Sequence, residues 1–240
     1  MSAPILDLRA VEAAYGPFRA LFGVDLHVQP GEAVALLGAN GAGKTTIARV
    51  ASGLVAPSRG SVLIDGVEMS RAPTYQFARA GVAHAPEGRS VFATFTVEEN
   101  LVLSFQRALG KSGVAAGLDR AYELFPRLRQ RRTQIAGTLS GGEQRMLSLA
   151  RVLVEEPRLL IADELSLGLA PIVVDEVYAT LETIRGHGTA LLIVEQHVQH
   201  ALELCDRIAL LDHGLIDWEG PSAEAAEVVV SRLFDTSEEH

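Results

Sequence analysis

The chain has 240 residues, 48% of them hydrophobic, and a formal net charge of −9 at neutral pH. This is enough to bury one sizeable core, with or without a satellite subdomain. The net acidity argues against a protein that grips nucleic acid through a broadly basic surface, although it leaves room for a local basic patch. The lone cysteine, Cys205, excludes an intrachain disulfide and suits a reducing compartment.

The N-terminal segment has no pattern of a secretory signal, because Asp7 and Arg9 interrupt its short apolar stretch. No run approaches the roughly 18 consecutive apolar residues that a membrane-spanning helix requires. We therefore expect a cytoplasmic, soluble chain that works at a membrane only by docking to another subunit.

The first part of the chain consists of short β-prone runs separated by turn residues. These runs cover 5–10, 24–28 and 62–64. The uniformly apolar run 33–37 fits a strand that is buried on both faces. After a glycine-rich loop, Ile47, Val50, Ala51 and Leu54 follow the spacing of one helical face. We therefore predict a strand, a loop and a helix in succession.

The middle of the chain, 88–150, is rich in Arg, Ala and Leu and shows helical spacing over 97–109 and 118–128. A loop is predicted between these helices, over 110–117. Strands over 159–162, 190–194 and 208–211 then alternate with helices over 172–185 and 198–204. Strands that alternate with helices predict a parallel sheet.

The glycine-rich loop fits the phosphate-loop pattern G-x-x-x-x-G-K-[ST]. It reads Gly38-Ala39-Asn40-Gly41-Ala42-Gly43-Lys44-Thr45, and Thr46 continues it into the helix. The glycines permit backbone angles at which a Cβ would clash, so that successive amides can point at phosphate oxygens. The N-terminus of the helix adds free N–H groups. We predict that the loop binds Mg-ATP, with Lys44 on the outer phosphates and the Thr45 hydroxyl on Mg²⁺.

Two acids, Asp163 and Glu164, follow the apolar run 159–162. A strand that ends in two acids places both at the sheet edge where the phosphate loop must also lie. Asp163 is therefore a candidate to hold Mg²⁺ through its water shell, and Glu164 a candidate base for the attacking water. The same pattern fits two solvated acids, but a phosphate loop requires a metal-binding acid nearby.

A third segment reads Leu139-Ser140-Gly141-Gly142-Glu143-Gln144 and precedes an apolar-faced helix. Ser140 and Glu143 have the spacing of a capping box, so the segment alone could simply begin a well-capped helix. Together with the phosphate loop and the acid pair, its order and wording resemble the ATP-binding-cassette (ABC) ATPases over nearly the whole chain.

The resemblance implies an α/β fold of the P-loop NTPase, ABC ATPase type. Such a fold has a mixed sheet core, an N-terminal antiparallel β subdomain and a helical subdomain. We expect a single domain over 1–240, in which 1–87 and 151–240 form the nucleotide-binding core and β subdomain. The helical subdomain is expected over 88–150, with the signature segment at its end. The spacing from Lys44 to Ser140 leaves no room for a long coiled coil, which argues against a repair or chromosome-structuring ATPase.

The resemblance also implies partners. In the family, the signature segment, here Ser140, Gly141, Gly142 and Glu143, binds the γ-phosphate of ATP held by a second subunit. A head-to-tail dimer follows, and both a homodimer and a heterodimer remain open. Tyr15 stands where the family stacks an aromatic ring on adenine, although a core tyrosine is the alternative. Integral membrane permease subunits are the other expected partner and would hold the chain on the inner face of the cell membrane.

Two positions depart from the general family pattern. Glu87 takes the place of a Gln that contacts Mg²⁺, and an ionised acid can ligate a metal but cannot donate a hydrogen bond. Counting back from Asp206 by the family's spacing gives Gln196 where a switch His is usual, and His197 is one residue further on. A Gln can hydrogen-bond a γ-phosphate but cannot carry a proton. A mechanism with a glutamate as the base remains compatible with Gln196, whereas one that requires a histidine does not.

The sequence around these two positions, and in two further stretches, resembles one branch of the family. The relevant stretches are Pro86-Glu87-Gly88-Arg89, Thr96-Val97-Glu98-Glu99-Asn100-Leu101, Asp163-Glu164-Leu165-Ser166-Leu167-Gly168-Leu169-Ala170-Pro171 and Glu195-Gln196. They resemble one of the two ATPase subunits of branched-chain amino acid importers. Leu165 departs even there, because a Pro is usual at that position.

Four alternative functions fit the sequence less well. Importers of urea or short-chain amides more often keep Gln at position 87, and exporters or lipopolysaccharide-type transporters more often keep both Gln and His. A signalling GTPase needs an Asn-Lys-x-Asp base reader, but the asparagines are Asn40 and Asn100, and neither is placed for it. An ABC-fold regulator on nucleic acid is disfavoured by the single cassette and the net acidity.

Overall fold

The computed structural model describes residues 3–88, 90–153, 156–196, 198–226 and 228. Within this part of the chain, the residues cluster into two compact units. The first unit takes its residues from Met1–His84, Arg158–Glu164 and Ile184–His240, and the second from Ala85–Pro157 and Leu165–Thr183. The second unit thus includes the described part of the predicted helical subdomain 88–150 and also takes in 165–183.

An antiparallel sheet of four strands, ordered β2-β1-β4-β5, belongs to the first unit. Its strands are β1 Leu6–Tyr15, β2 Phe18–Val28, β4 Arg59–Ile64 and β5 Val67–Glu68. Gly16, with φ 59°, makes the tight turn from β1 to β2. Strands β1 and β2 are longer than the predicted runs, because bulges allow their pairing to continue beyond the apolar stretches. The predicted antiparallel β subdomain is confirmed.

The second sheet has the order β10-β9-β3-β8-β7-β6. Its strands are β3 Ala33–Leu37, β6 Val82–Ala85, β7 Leu159–Asp163, β8 Ala190–Glu195, β9 Arg207–Asp212 and β10 Leu215–Pro221. Every residue of β3, β7 and β8 is buried, as expected for central strands covered on both faces. Strands β7, β8, β3 and β9 run parallel, and β10 is antiparallel to β9, so the predicted mixed sheet is confirmed. The carboxyl ends of β3, β7 and β8 therefore share one edge.

Helix α1, Lys44–Ala51, packs Ile47, Val50 and Ala51 into the core, as the spacing predicts. The prediction that Leu54 continues this face is wrong, because the side chain is 54% exposed and lies beyond the helix. Gly53 has a left-handed φ of 70°, and the Leu54 amide donates to the Arg49 carbonyl at 2.8 Å. These contacts end the helix, so the periodicity stops one turn earlier than the sequence suggests.

The second unit contains α3 Val97–Leu124, α4 Pro126–Gln130 and α5 Gly141–Leu153. Thr96 and Glu99 form a capping box at the start of α3. The predicted loop over 110–117 is wrong, because within α3 only Gly110 leaves the helical conformation and the helix resumes beyond it. Gly110 has a φ of 72°, which glycine adopts at little cost. A single residue therefore makes the kink, where the sequence predicted a loop of eight residues.

Three further helices are α2 Thr74–Arg79, α6 Pro171–Gly186 and α7 Val198–Leu204. The bounds predicted for α7 match the structure at both ends, and those for α6 agree within one residue at each end. In the described part of the chain, no helix combines the length and apolarity needed to cross a membrane.

The lone cysteine, Cys205, lies in the first unit directly after α7 and is 4% exposed. Burial raises the pKa of its thiol to about 12, so the protonated thiol prevails at neutral pH. Cys205 therefore serves as a small apolar side chain in the core.

Candidate functional site

The phosphate loop lies between β3 and α1, as predicted. Gly41 and Gly43 have φ values of 82° and 108°, which are strained for any residue with a Cβ. Gly38 is needed for a different reason, because a Cβ there would lie 2.3 Å from the Leu211 carbonyl oxygen. A close approach of two backbones, rather than a left-handed φ, thus fixes the first glycine of the loop.

The N-terminus of α1 follows the loop directly, at Lys44. Its N-cap residue is Gly43, which has no side chain with which to cap the first turn. An uncapped first turn presents backbone N–H donors and the positive end of the helix dipole. This arrangement favours an anion such as a phosphate group at the loop.

Lys44 is buried, with a relative exposure of 4%. Its Nζ donates to the carbonyl oxygens of Gly38 and Ala39 at 2.9 and 3.1 Å. The same Nζ lies 3.5 Å from Glu164 Oε1. The ammonium group is therefore held against the loop and beside a carboxylate, which compensates its burial.

The two acids lie at the end of β7, as predicted, and both are buried. Glu164 has a left-handed φ of 48°, and its amide donates to the Val194 carbonyl at 2.8 Å. Such a conformation costs a non-glycine residue on the order of 1 kcal/mol. The strained turn brings the Glu164 carboxylate to Lys44. The local sequence pattern does not predict this left-handed conformation.

Thr45 and Asp163 meet at this edge. The Thr45 hydroxyl donates to Asp163 Oδ1 at 3.4 Å. A hydroxyl and a carboxylate oxygen are ligand types that Mg²⁺ takes, the remainder coming from water and substrate phosphates. Among the residues that the structure describes, no cluster of three or more His, Cys, Asp or Glu could hold a metal.

Gln196 follows β8 and reaches both the loop and the acid. Its Nε2 donates to Glu164 Oε1 at 3.3 Å and also to Asn40 Oδ1. The phosphate loop, the end of β7 and the end of β8 are thereby linked through side chains. The sequence placed Gln196 near the nucleotide but did not predict its bond to Asn40.

His84, in β6, also lies at this site, and the sequence analysis assigned it no role. Its Nε2 is 4.0 Å from Asp163 Oδ2, and its Nδ1 is 3.2 Å from the Ser52 hydroxyl. Burial, with the nearby positive charge of Arg49, lowers the pKa of His84 to about 4. The imidazole is therefore neutral at physiological pH.

Comparison with protein families places residues 21–166 in the family described as ABC transporter. The chain belongs to the ABC transporter family. Like other ATP-binding cassettes, it binds ATP and hydrolyses it.

Three similar proteins illustrate the relationship. The high-affinity branched-chain amino acid transport ATP-binding protein BraG of Pseudomonas aeruginosa is 42% identical over 212 residues, covering 88% of this chain and 91% of BraG. The probable branched-chain amino acid transport ATP-binding protein LivF of Archaeoglobus fulgidus is 35% identical, covering 92% and 94%. A solved ATP-binding subunit of an ABC transporter superposes with a TM-score of 0.80 at 26% identity, covering 98% and 95%.

The ABC signature segment begins α5, in the second unit. The Ser140 hydroxyl accepts from the Glu143 amide at 3.2 Å, and Glu143 Oε2 accepts from the Ser140 amide at 2.9 Å. The capping box predicted from the sequence is therefore formed. Gly142 allows close packing, because a Cβ there would lie 2.5 Å from the Val173 side chain. Ser140 is exposed, so its hydroxyl is accessible to a ligand.

Glu87 is exposed and also belongs to the second unit. Arg145, on α5 and only 5% exposed, donates from Nη1 to the carbonyl oxygens of Pro86 and Gly88 at 2.9 and 2.8 Å. The helix that begins at the signature segment thus holds the backbone on either side of Glu87. Arg145 was not predicted as a functional residue, although a charged residue within a largely apolar helix was a signal. Arg89 lies outside the described residues.

Tyr15 ends β1 and is 41% exposed. Its hydroxyl accepts from Arg49 Nη1 at 3.4 Å. A tyrosine this exposed is not a core residue, which argues against the core alternative. His197, the alternative to Gln196, lies outside the described residues. Leu165, where Pro is usual in the resembling branch, is 2% exposed and packs as an apolar side chain.

Proposed function

We propose that the chain is the ATP-hydrolysing subunit of an importer for branched-chain or related amino acids. The observation that carries this proposal is its similarity, over most of both chains, to BraG, a high-affinity branched-chain amino acid transport ATP-binding protein. The LivF relative supports the same solute class. Glu87 and Gln196 agree with it, because this branch of the family has both residues where most members have Gln and His.

The phosphate loop binds the nucleotide in this proposal. The cofactor-binding residues of the loop are Gly38, Ala39, Asn40, Gly41, Ala42, Gly43, Lys44, Thr45 and Thr46. Their amides and the Lys44 ammonium hold the phosphates, and Tyr15 stacks on the adenine. Thr45, Asp163 and Glu87 are the candidate ligands of Mg²⁺. When bound, the metal would neutralise charge on the phosphate oxygens.

Glu164 acts as the base that orients and deprotonates the attacking water. Its carboxylate is fixed by the strained turn at φ 48° and by the contacts with Lys44 and Gln196. Gln196 hydrogen-bonds the γ-phosphate through its amide, and hydrolysis proceeds without an imidazole at this position.

The partners follow from the signature segment. Ser140, Gly141, Gly142 and Glu143 bind the γ-phosphate of ATP held by a second ATPase subunit, since a hydroxyl, amides and a helix N-terminus suit an anion. Closure of the dimer on ATP and its reopening after hydrolysis move permease subunits embedded in the membrane. The chain accordingly sits at the inner face of the cell membrane, and the whole of 1–240 works as one ABC ATPase domain.

Gln196→Ala is expected to lower the rate of ATP hydrolysis about tenfold, because a hydrogen bond to a charged phosphate is lost. His197→Ala is expected to stay within about twofold of the unsubstituted chain. Phosphate release at saturating ATP measures both variants. A tenfold loss in His197→Ala, with little effect of Gln196→Ala, would assign the switch position to His197.

The importer proposal can be tested by reconstituting the chain with its permease subunits and solute-binding protein in liposomes. ATP-dependent uptake of radiolabelled leucine, isoleucine or valine is expected, and none when the chain carries Lys44→Ala. Urea and short-chain amides serve as control solutes. Uptake of these compounds without uptake of any amino acid would refute the proposed solute class.

A further inference from the structure

His84 has a buried nitrogen that no group in the described structure satisfies. The side chain is 10% exposed, and its Nε2 lacks a hydrogen-bond partner among the described residues. A buried polar atom without a partner is costly, so native proteins usually pair it with protein, water or a ligand. His84 therefore needs an explanation that the fold alone does not supply.

The contacts of Ser52 assign the imidazole tautomer. The Ser52 hydroxyl has one proton, which it donates to the carbonyl oxygens of the preceding turn, Ala48 at 2.8 Å and Arg49 at 3.2 Å. The hydroxyl can then only accept from His84 Nδ1, 3.2 Å away. Nδ1 consequently carries the imidazole proton, and Nε2 presents a lone pair.

This lone pair faces Asp163. Nε2 lies 4.0 Å from Asp163 Oδ2, while Oδ1 of the same carboxylate receives the Thr45 hydroxyl. Two acceptors cannot hydrogen-bond each other, but one donor placed between them can bond to both and thereby satisfy His84 Nε2. The separation suits a water molecule, with a hydrogen bond of ordinary length on each side.

We propose that His84 Nε2 accepts a hydrogen bond from a water molecule bound to the divalent cation held at Thr45 and Asp163. The inference rests on the metal site of the proposed function and adds a residue to it. Mg²⁺ keeps several of its waters when it binds through one or two protein ligands, so such a water is available. His84 is then a positioning residue, because an outer partner fixes the orientation of the inner ligands.

The test measures metal binding instead of activity. Mn²⁺ replaces Mg²⁺, ADP is saturating, and electron paramagnetic resonance counts free Mn²⁺. His84→Phe keeps an apolar ring without an acceptor and is expected to weaken Mn²⁺ binding about tenfold. His84→Gln retains an acceptor and is expected to remain within about threefold. His187→Phe, at an exposed histidine, is the matched control and should bind Mn²⁺ as the unsubstituted chain does.

ADP affinity in the presence of a chelator verifies that each variant keeps its nucleotide site. Should His84→Phe fail this check, His84→Leu carries the same prediction. Unchanged Mn²⁺ binding in the apolar variant would overturn the role of His84, and so would equal losses in the apolar and Gln variants. In both cases the proposed metal site stands. Absence of Mn²⁺ binding to the unsubstituted chain with ADP would instead overturn the metal site and the inference together.

Discussion

Glu164→Gln is expected to reduce ATP turnover about 100- to 1000-fold, because a positioned general base contributes a factor of this order. Gln has the same shape but cannot take a proton from the attacking water. The backbone bond from the Glu164 amide to the Val194 carbonyl does not involve the side chain and should persist. ATP affinity should therefore remain within about threefold, and an ATP-bound dimer should accumulate.

Steady-state phosphate release and equilibrium binding of a fluorescent ATP analogue measure the two quantities separately. Glu182→Gln, at an exposed position on α6, makes the same chemical change away from the site and should turn over normally. Hydrolysis by Glu164→Gln at the rate of the unsubstituted chain would exclude Glu164 as the base. A large loss of ATP affinity would show that the carboxylate mainly organises the loop.

Lys44→Ala is expected to weaken ATP binding about 10- to 100-fold, since hydrogen bonds to charged groups contribute about 1.5–3 kcal/mol. The ammonium group lies against the carbonyl oxygens of Gly38 and Ala39, where the outer phosphates of a nucleotide would meet it. Its removal also leaves the buried carboxylate of Glu164 without this cation. Calorimetric titration with ATP measures the loss directly.

The chain has one other lysine, Lys111, which is exposed on α3 and provides the control. Lys111→Ala should bind ATP as tightly as the unsubstituted chain. A thermal unfolding scan separates lost affinity from lost fold. If Lys44→Ala is folded and binds ATP with unchanged affinity, Lys44 does not hold the phosphates.

The sequence predicts best where one local pattern determines both the conformation and the chemistry. The run 33–37 is apolar at every position, which fits a covered strand, and the spacing after the loop predicts a helix. The apolar run before Asp163 fixed the strand end in the same way. The capping box at Ser140 could likewise be predicted, because Ser140 and Glu143 are only three residues apart in the sequence.

What the sequence could not predict depends on residues that are distant along the chain. Asn40 meets Gln196, and Arg145 holds the carbonyls beside Glu87, only because the fold brings them together. The left-handed φ of Glu164 is imposed by its surroundings against the residue's own preference. The free lone pair on His84 Nε2 likewise depends on the hydrogen bonds of Ser52, which the sequence around His84 does not predict.

The helix predicted over 118–128 is also wrong in part, because Phe125 leaves the helical conformation and Pro126 begins α4. The errors at Leu54 and over 110–117 have a common cause. At Leu54 and over 110–117, glycines indicated that a helix is interrupted. The number of glycines, however, does not determine how many residues leave the helical conformation. Gly53 ended α1 within a single turn, and Gly110 alone kinked α3. Conformation at one glycine depends on the packing on either side of it, which local composition does not contain.

In the proposed function, the Gln196 amide stands where most family members have an imidazole, and this limits the mechanism. An amide can donate to a γ-phosphate and to Glu164, as its Nε2 does to the carboxylate here at 3.3 Å, but it does not titrate near neutral pH. In the proposed mechanism, proton transfer is therefore left to Glu164, and the amide orients the groups around it.

In the proposed dimer, the phosphate loop of one subunit and the signature segment of another bind the same nucleotide. Orthovanadate can take the place of the leaving phosphate in the assembled transporter, and ultraviolet light then cuts the backbone next to it. Mass spectrometry of the fragments should find cuts within Gly38 to Thr45 and also within Leu139 to Glu143. Cuts confined to the phosphate loop would contradict the account, because the signature segment would then not face a bound nucleotide.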